Sequence, residues 1–104
     1  MNDFSSETEG EIVSEIRDKI TEPPMYKVLL HNDDYTTMEF VVEILMSIFH
    51  KTIEDATRIM LNVHKTGQGI CGIYTFEVAE TKVETTRELA MERGFPLKSS
   101  FEKA

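Results

Sequence analysis

The period of the apolar residues changes several times along the chain, and each change marks an element. Tyr26 to Leu30 is a short run rich in β-formers and reads as a strand. It stops at His31-Asn32-Asp33-Asp34, where amide and carboxylate side chains compete for backbone hydrogen bonds and favour a turn. Beyond it the period becomes helical: Met38, Val41, Val42, Leu45, Ile48 and Phe49 fall on one stripe, and Thr36 or Thr37 stands where it can cap the free N–H groups. This first helix is expected from Met38 to about His50. Thr52, with Asp55 three residues later, caps a second from Ile53 to about Thr66, whose stripe is Ala56, Ile59, Met60 and Val63. The two helices should form a hairpin. Gly67-Gln68-Gly69 supplies a C-terminal cap and turn, and Ile70 to Phe76 reads as a strand buried on at least one face. A third helix from Glu77 to about Arg93 mixes apolar and polar positions (Val78, Thr81, Lys82, Thr85, Leu89, Ala90) and ends at Gly94. Pro96 to Phe101 is a short last strand, for which a sheet edge suits the proline. The order β-α-α-β-α-β predicts an α/β sandwich, a small three-stranded sheet covered by helices on one face, with the strand order left open.

The first 24 residues behave differently. Met1 to Gly10 is polar and acidic, too poor in large apolar groups to offset the entropy of ordering it. From Glu11 to Ile20, Ile12, Val13, Ile16 and Ile20 recur at helical spacing, which fits either a helix induced by a partner or a segment leaning on its own domain. Pro23-Pro24 ends it. The expected organisation is a largely flexible acidic extension over residues 1–24 and one core domain over residues 25–104, since 104 residues do not comfortably make two.

Charge narrows the partners. The net charge is −8, which argues against broad binding to nucleic-acid phosphates or anionic membranes, and seven acidic against two basic residues in the first 24 place most of that excess in the extension. The single cysteine, Cys71, rules out an intramolecular disulfide and sits among Gly69, Ile70, Gly72 and Ile73 like a buried strand residue, which fits a reducing compartment. The opening MNDFSSETEGE lacks the basic flank and apolar run of a secretory signal, and no stretch is long and apolar enough to cross a bilayer, so a soluble cytoplasmic protein is expected.

One polar set stands out. In a helical hairpin the end of the second helix returns towards the start of the first, carrying His64 towards Asn32, Asp33 and Asp34. An amide oxygen, a carboxylate and a neutral imidazole are all acceptors, so together they suit a donor-rich cation such as a primary ammonium. The residues alone leave a plainer alternative standing, a turn and helix cap with His64 on the surface. By spacing, Met38, Val41, Ile44, Met60, Val63 and Leu97 are core, with Thr36 packing nearby. Glu77, Glu80, Thr81 and Lys82 read as a solvated helix start favoured by the helix dipole. A hydrolase using His31, Asp33, Asp34 and His64 on zinc or manganese lacks HExxH or any comparable paired spacing, and no serine or cysteine has an evident base, so no catalytic residue, metal or cofactor is expected. A ribosome- or RNA-associated module is the alternative class, but the acidic balance and the lack of an aromatic-basic strand oppose it.

The runs MYKVLLHNDDYTTMEFV, LNVHKTGQGICGIYTFEVAETK and PLKSSFEKA together resemble the Clp protease adaptor family, ClpS, over about Pro24 to Ala104. NDDYT-MEFV followed by VH-G-ICG-AETK is a specific combination, although no single piece would suffice. The resemblance implies a three-stranded antiparallel sheet packed against three helices. It implies a non-enzymatic adaptor that binds proteins bearing N-terminal Leu, Phe, Tyr or Trp and delivers them to a Clp unfoldase–protease. Asn32, Asp33, Asp34 and His64 would hold the substrate's α-amino group. Thr36, Met38, Val41, Ile44, Met60, Val63 and Leu97 would line the side-chain pocket, with Met38 as a gate against β-branched residues. Glu77, Thr81 and Lys82 would dock a monomeric adaptor on the N-terminal domain of a ClpA-like or ClpC-like unfoldase. Thr37, where proline is common in the family, should alter only the helix start. The sequence does not say whether Asp33 or Asp34 makes the closer amino contact.

Overall fold

The computed structural model describes residues 23–104; the expectations of an extension with an amphipathic segment before that point lie outside the described residues. The elements run β1 (Met25–His31), α1 (Met38–Ser47), α2 (Ile53–Thr66), β2 (Gln68–Thr75), α3 (Phe76–Arg93) and β3 (Lys98–Lys103), the order expected from the periodicity. The strand order, which periodicity left open, is β2-β1-β3 with both pairings antiparallel, so the first strand is the middle one.

Alternation along β1 sends Val28 and Leu30 to the helical side, where with Cys71 they meet Phe40, Val41, Ile44 and Leu45 of α1 and Ala56, Ile59, Met60 and Val63 of α2. The stripe of α2 is the one its spacing predicts. Each large aliphatic side chain buried in this way contributes about 1.5–3 kcal/mol. In α3 the buried residues are small, Ala79, Thr86 and Ala90, which allows its backbone a close approach to the sheet. Among the described residues the one buried hydroxyl, of Thr86, donates to the Lys82 carbonyl at 2.8 Å.

A β-bulge breaks the phase of β2. Leu29 faces Ile70 and Val28 faces Gly72, so Cys71 is the extra residue. Ile70 and Ile73 are three apart and would point to opposite faces of a regular strand. With the extra residue between them, both lie opposite the odd-numbered residues of β1 on the face away from the helices, where they are exposed, and Cys71 enters the core.

Helix ends follow local chemistry. The Thr37 hydroxyl accepts from the Phe40 N–H and the Thr52 hydroxyl from the Asp55 N–H, both at 3.2 Å. α1 stops at Ser47, about one turn before the expected end near His50. His50 adopts a left-handed φ of 55° that reverses the chain, and the Lys51 N–H closes the turn on the Leu45 carbonyl at 3.0 Å. β3 begins at Lys98 rather than Pro96 because Phe95 first packs on Phe40, ring centroids 4.7 Å apart, and Leu97 is buried before strand pairing starts at Lys98 opposite His31.

Burial pushes the Cys71 thiol up to about 12, against a smaller opposing pull from Lys51. Since the thiolate is the nucleophile, Cys71 should resist alkylation at pH 8 in the folded protein and react orders of magnitude faster in denaturant, as read by intact-mass labelling. Rapid labelling without denaturant would mean that the bulged strand opens readily.

Candidate functional site

The site is assembled where β1 ends and α2 ends. Gly67 closes α2 in the left-handed region, φ 94°, donating its N–H to the Val63 carbonyl at 2.9 Å. Its own carbonyl accepts the Asn32 N–H at 2.9 Å, and in the next step of the ladder His31 lies opposite Gln68. The last turn of α2, which carries His64, is therefore held against the loop that carries Asn32, Asp33 and Asp34.

Within that loop the two carboxylates do different work. Oδ1 of Asp33 accepts the Tyr35 N–H at 2.8 Å and the Thr36 N–H at 2.7 Å, and Oδ2 accepts the Thr36 hydroxyl at 2.7 Å. Partial burial works against the charged Asp33 carboxyl, but these donors from Thr36 and Tyr35 outweigh it and hold its pKa below the ordinary value. Asp34 is exposed, and among the described residues its side chain makes no hydrogen bond or ion pair. Asn32 and His64 are exposed beside it.

These groups stand at one end of a cavity of about 280 Å³ lined by Asn32, Asp33, Asp34, Thr36, Met38, Val41, Met60, Val63 and His64. That is just under the size of drug-ligand sites, about 300–1,000 Å³, and suits one side chain rather than an extended molecule. Val41, Met60 and Val63 are buried and form its floor, while Met38, the first residue of α1, is 47% exposed at the mouth. Of the expected pocket residues, Ile44 and Leu97 are not brought to the cavity wall; they are core beneath it. Sequence reasoning missed Gly69, whose backbone lies so close under the floor that a Cβ there would come within 2.7 Å of a Val63 methyl. The cue was a glycine inside a strand. His31 faces away from the cavity set and bonds through Nε2 to Ser100 Oγ at 2.6 Å.

An apolar floor beneath a rim of acceptors fits a cationic donor joined to an apolar side chain. Away from the cavity, Glu77, Glu80 and Thr81 are exposed on α3, whereas Lys82 is half-buried and turned inward. Its ammonium donates to the Ile48 carbonyl at 2.7 Å and lies 5.7 Å and 5.2 Å from the ring centroids of Phe49 and Tyr74. Among the described residues no helix is long and apolar enough to cross a membrane.

Comparison with known proteins places relatives beside this geometry. Residues 21–100 match the family model described as ATP-dependent Clp protease adaptor protein ClpS. The chain is 64% identical over 90 residues to an ATP-dependent Clp protease adapter protein ClpS of Desulforapulum autotrophicum, covering 86% of each chain. It is 58% identical over 93 residues to that of Desulfatibacillum aliphaticivorans, covering 89% of each. Among solved structures, Agrobacterium tumefaciens ClpS2 bound to L-phenylalaninamide superposes with a TM-score of 0.77 at 36% identity, over 80% of this chain and all of the other.

If Asp33 holds the loop, Asp33→Ala should cost about 1–3 kcal/mol of stability through three lost acceptor contacts, and Asp33→Asn, which keeps an acceptor oxygen, less. Because the folded pKa is depressed, the carboxylate's contribution is present above its unfolded value near 3.8 and is lost as pH falls through the lower folded value. Denaturant titrations from pH 7 to pH 2.5 should show wild type and Asp33→Asn converging only below about pH 4. A constant gap across that range would remove the carboxylate's charge from the account.

Proposed function

The chain belongs to the ClpS family of ATP-dependent Clp protease adaptor proteins, and from that premise we propose that it reads the first residue of its substrates. It binds proteins that begin with Leu, Phe, Tyr or Trp and delivers them to a Clp unfoldase–protease, without cleaving a bond itself. The observation that carries this reading is one cavity with an apolar floor and an acceptor rim. An N-terminal residue has that same pair of features, a side chain and a charged α-amino group on adjacent atoms. The structural relative bound to L-phenylalaninamide, an aromatic residue with a free α-amino group, supports it.

The geometry supports a division of roles within this reading. Asn32, Asp34 and His64 accept from the α-ammonium group, and Asp34 is the closer carboxylate because Asp33 is already occupied by Thr36 and Tyr35. An ammonium held by charged and neutral acceptors together is recognised more strongly than by either alone. Val41, Met60 and Val63 surround the side chain. Met38, flexible and half exposed at the mouth, excludes side chains branched at Cβ, where a second methyl would meet its thioether. Glu77, Thr81 and Lys82 belong to the surface that docks a monomer of the adaptor on the N-terminal domain of a ClpA-like or ClpC-like unfoldase, and residues 25–104 form the adaptor domain that carries both surfaces.

Calorimetric titration with short peptides that differ only in the first residue tests this. Phe, Leu, Tyr and Trp peptides should bind, while Ile, Val and Nα-acetylated Phe peptides should not. Met38→Ala should admit Ile and Val and keep Phe. A variant that loses Phe and gains nothing would reduce Met38 to packing, where Met→Ala typically costs ~2–5 kcal/mol.

A further inference from the structure

The pocket lies at the open end of the α1–α2 hairpin. Its walls come from the first turns of α1, with Met38 and Val41, and the last turns of α2, with Met60, Val63 and His64, while the two helices are joined only at the other end, around Ile48 to Thr52. Among the described residues, two polar side-chain contacts tie helix α3 to α1 and its C-cap. Near the pocket end Arg93 pairs with Glu43 at 3.1 Å and lies 5.8 Å from the Phe40 ring centroid, but both charged side chains are nearly half exposed, and such pairs contribute little. At the joined end Lys82 makes the stronger grip, half-buried, with its ammonium 2.7 Å from the Ile48 carbonyl and over the Phe49 and Tyr74 rings. Ile48 is the C-cap of α1, so the cation meets an orphan carbonyl at the negative end of the helix dipole. The chain turns back two residues later through the left-handed His50.

We propose that Lys82 is a positioning residue for the pocket: by fixing the C-terminal end of α1 on α3 it sets the tilt of that helix, and so the width of the cavity at the far end. Geometry amplifies the effect. α1 has ten residues and is about 15 Å long at 1.5 Å per residue, so a tilt of about 4° at Ile48 moves Met38 by roughly 1 Å. Binding sites tolerate only about half that displacement before selectivity suffers. Lys82 also belongs by position to the proposed docking surface, next to Thr81, but it is half-buried and its ammonium is directed into the domain. The inference deepens the pocket reading above and rests on it.

The test uses the full chain carrying Lys82→Met, which keeps the apolar stem and removes the donor, and Lys82→Arg, which restores a cation that can bond the carbonyl and stack on the rings. Peptide affinities are measured well below each variant's melting temperature. Lys82→Met should weaken Phe-peptide binding about threefold to tenfold, the equivalent of a fraction of one hydrogen bond up to a whole one, and shift the ratio of Phe to Leu affinities, with Lys82→Arg restoring both. The methyl resonances of Met38 and Met60 should move in the free Lys82→Met protein. A lowered melting temperature with unchanged affinities, ratio and methyl shifts would show that Lys82 is structural only and overturn the proposal. Should Lys82→Met not fold, Phe49→Leu, which removes one ring beneath the cation, should move the same readouts less far, and unmoved readouts there would overturn it equally. A wild-type protein that binds none of the peptides while Lys82→Met still shifts the methyls would overturn the pocket reading and leave the positioning role standing.

Discussion

One hydrogen bond and one glycine join the two halves of the site. The carbonyl of Gly67 receives the N–H of Asn32, and it is available there because Gly67 takes a left-handed conformation that would strain any residue with a Cβ by about 1–2 kcal/mol. Asn32 and His64 are far apart in sequence and on different kinds of element. They become neighbours because α2 ends, turns and enters β2 within two residues, and β2 pairs at once with β1. The floor depends on the same junction, since Gly69 lets the strand lie directly against Val63.

The adjacent carboxylates show how environment separates residues of identical chemistry. Asp33 is enclosed by donors from the two residues that precede the cap of α1, so it organises the loop. Asp34, one position on, is left to solvent and to whatever enters the cavity. A comparable division holds on α3, where Glu77 and Thr81 face outward and the neighbouring Lys82 is drawn into the space between two rings and a helix end. Surface charge on this helix is therefore more acidic than its sequence suggests.

Most of the architecture was legible because it depends on local rules. Thr37 and Thr52 cap where their spacing predicts, Gly67 and Gly94 stop helices, and the stripe Ala56-Ile59-Met60-Val63 is buried as written. The site was legible in part. Every residue lining the cavity was among those singled out, but Ile44 and Leu97 share their hydrophobic character and differ only in depth, which no periodicity encodes. Strand order and the bulge at Cys71 were not readable, because both depend on which distant segment pairs with β1. The early end of α1 at Ser47 was missed since the chain reverses at a histidine where glycine would have been the usual signal. The inward turn of Lys82 was missed because a lysine's long stem can reach several partners and only tertiary context selects one.

The central place of β1 also sets an order of events as the chain acquires its shape. Each of its partners lies far along the sequence, His31 meeting both Gln68 and Lys98, so the sheet is built from non-local contacts whose loop-closure entropy must be overcome late. The α1–α2 hairpin needs only neighbours and tight caps and is the natural early structure. The apolar wall of the pocket can thus exist before its polar rim, and an incompletely folded chain presents Met38, Val41 and Met60 without the acceptors that stand above them. Closure of the acceptor rim over the apolar floor is in this sense a late property of the folding reaction, acquired only when the last strand pairings hold the first strand in place.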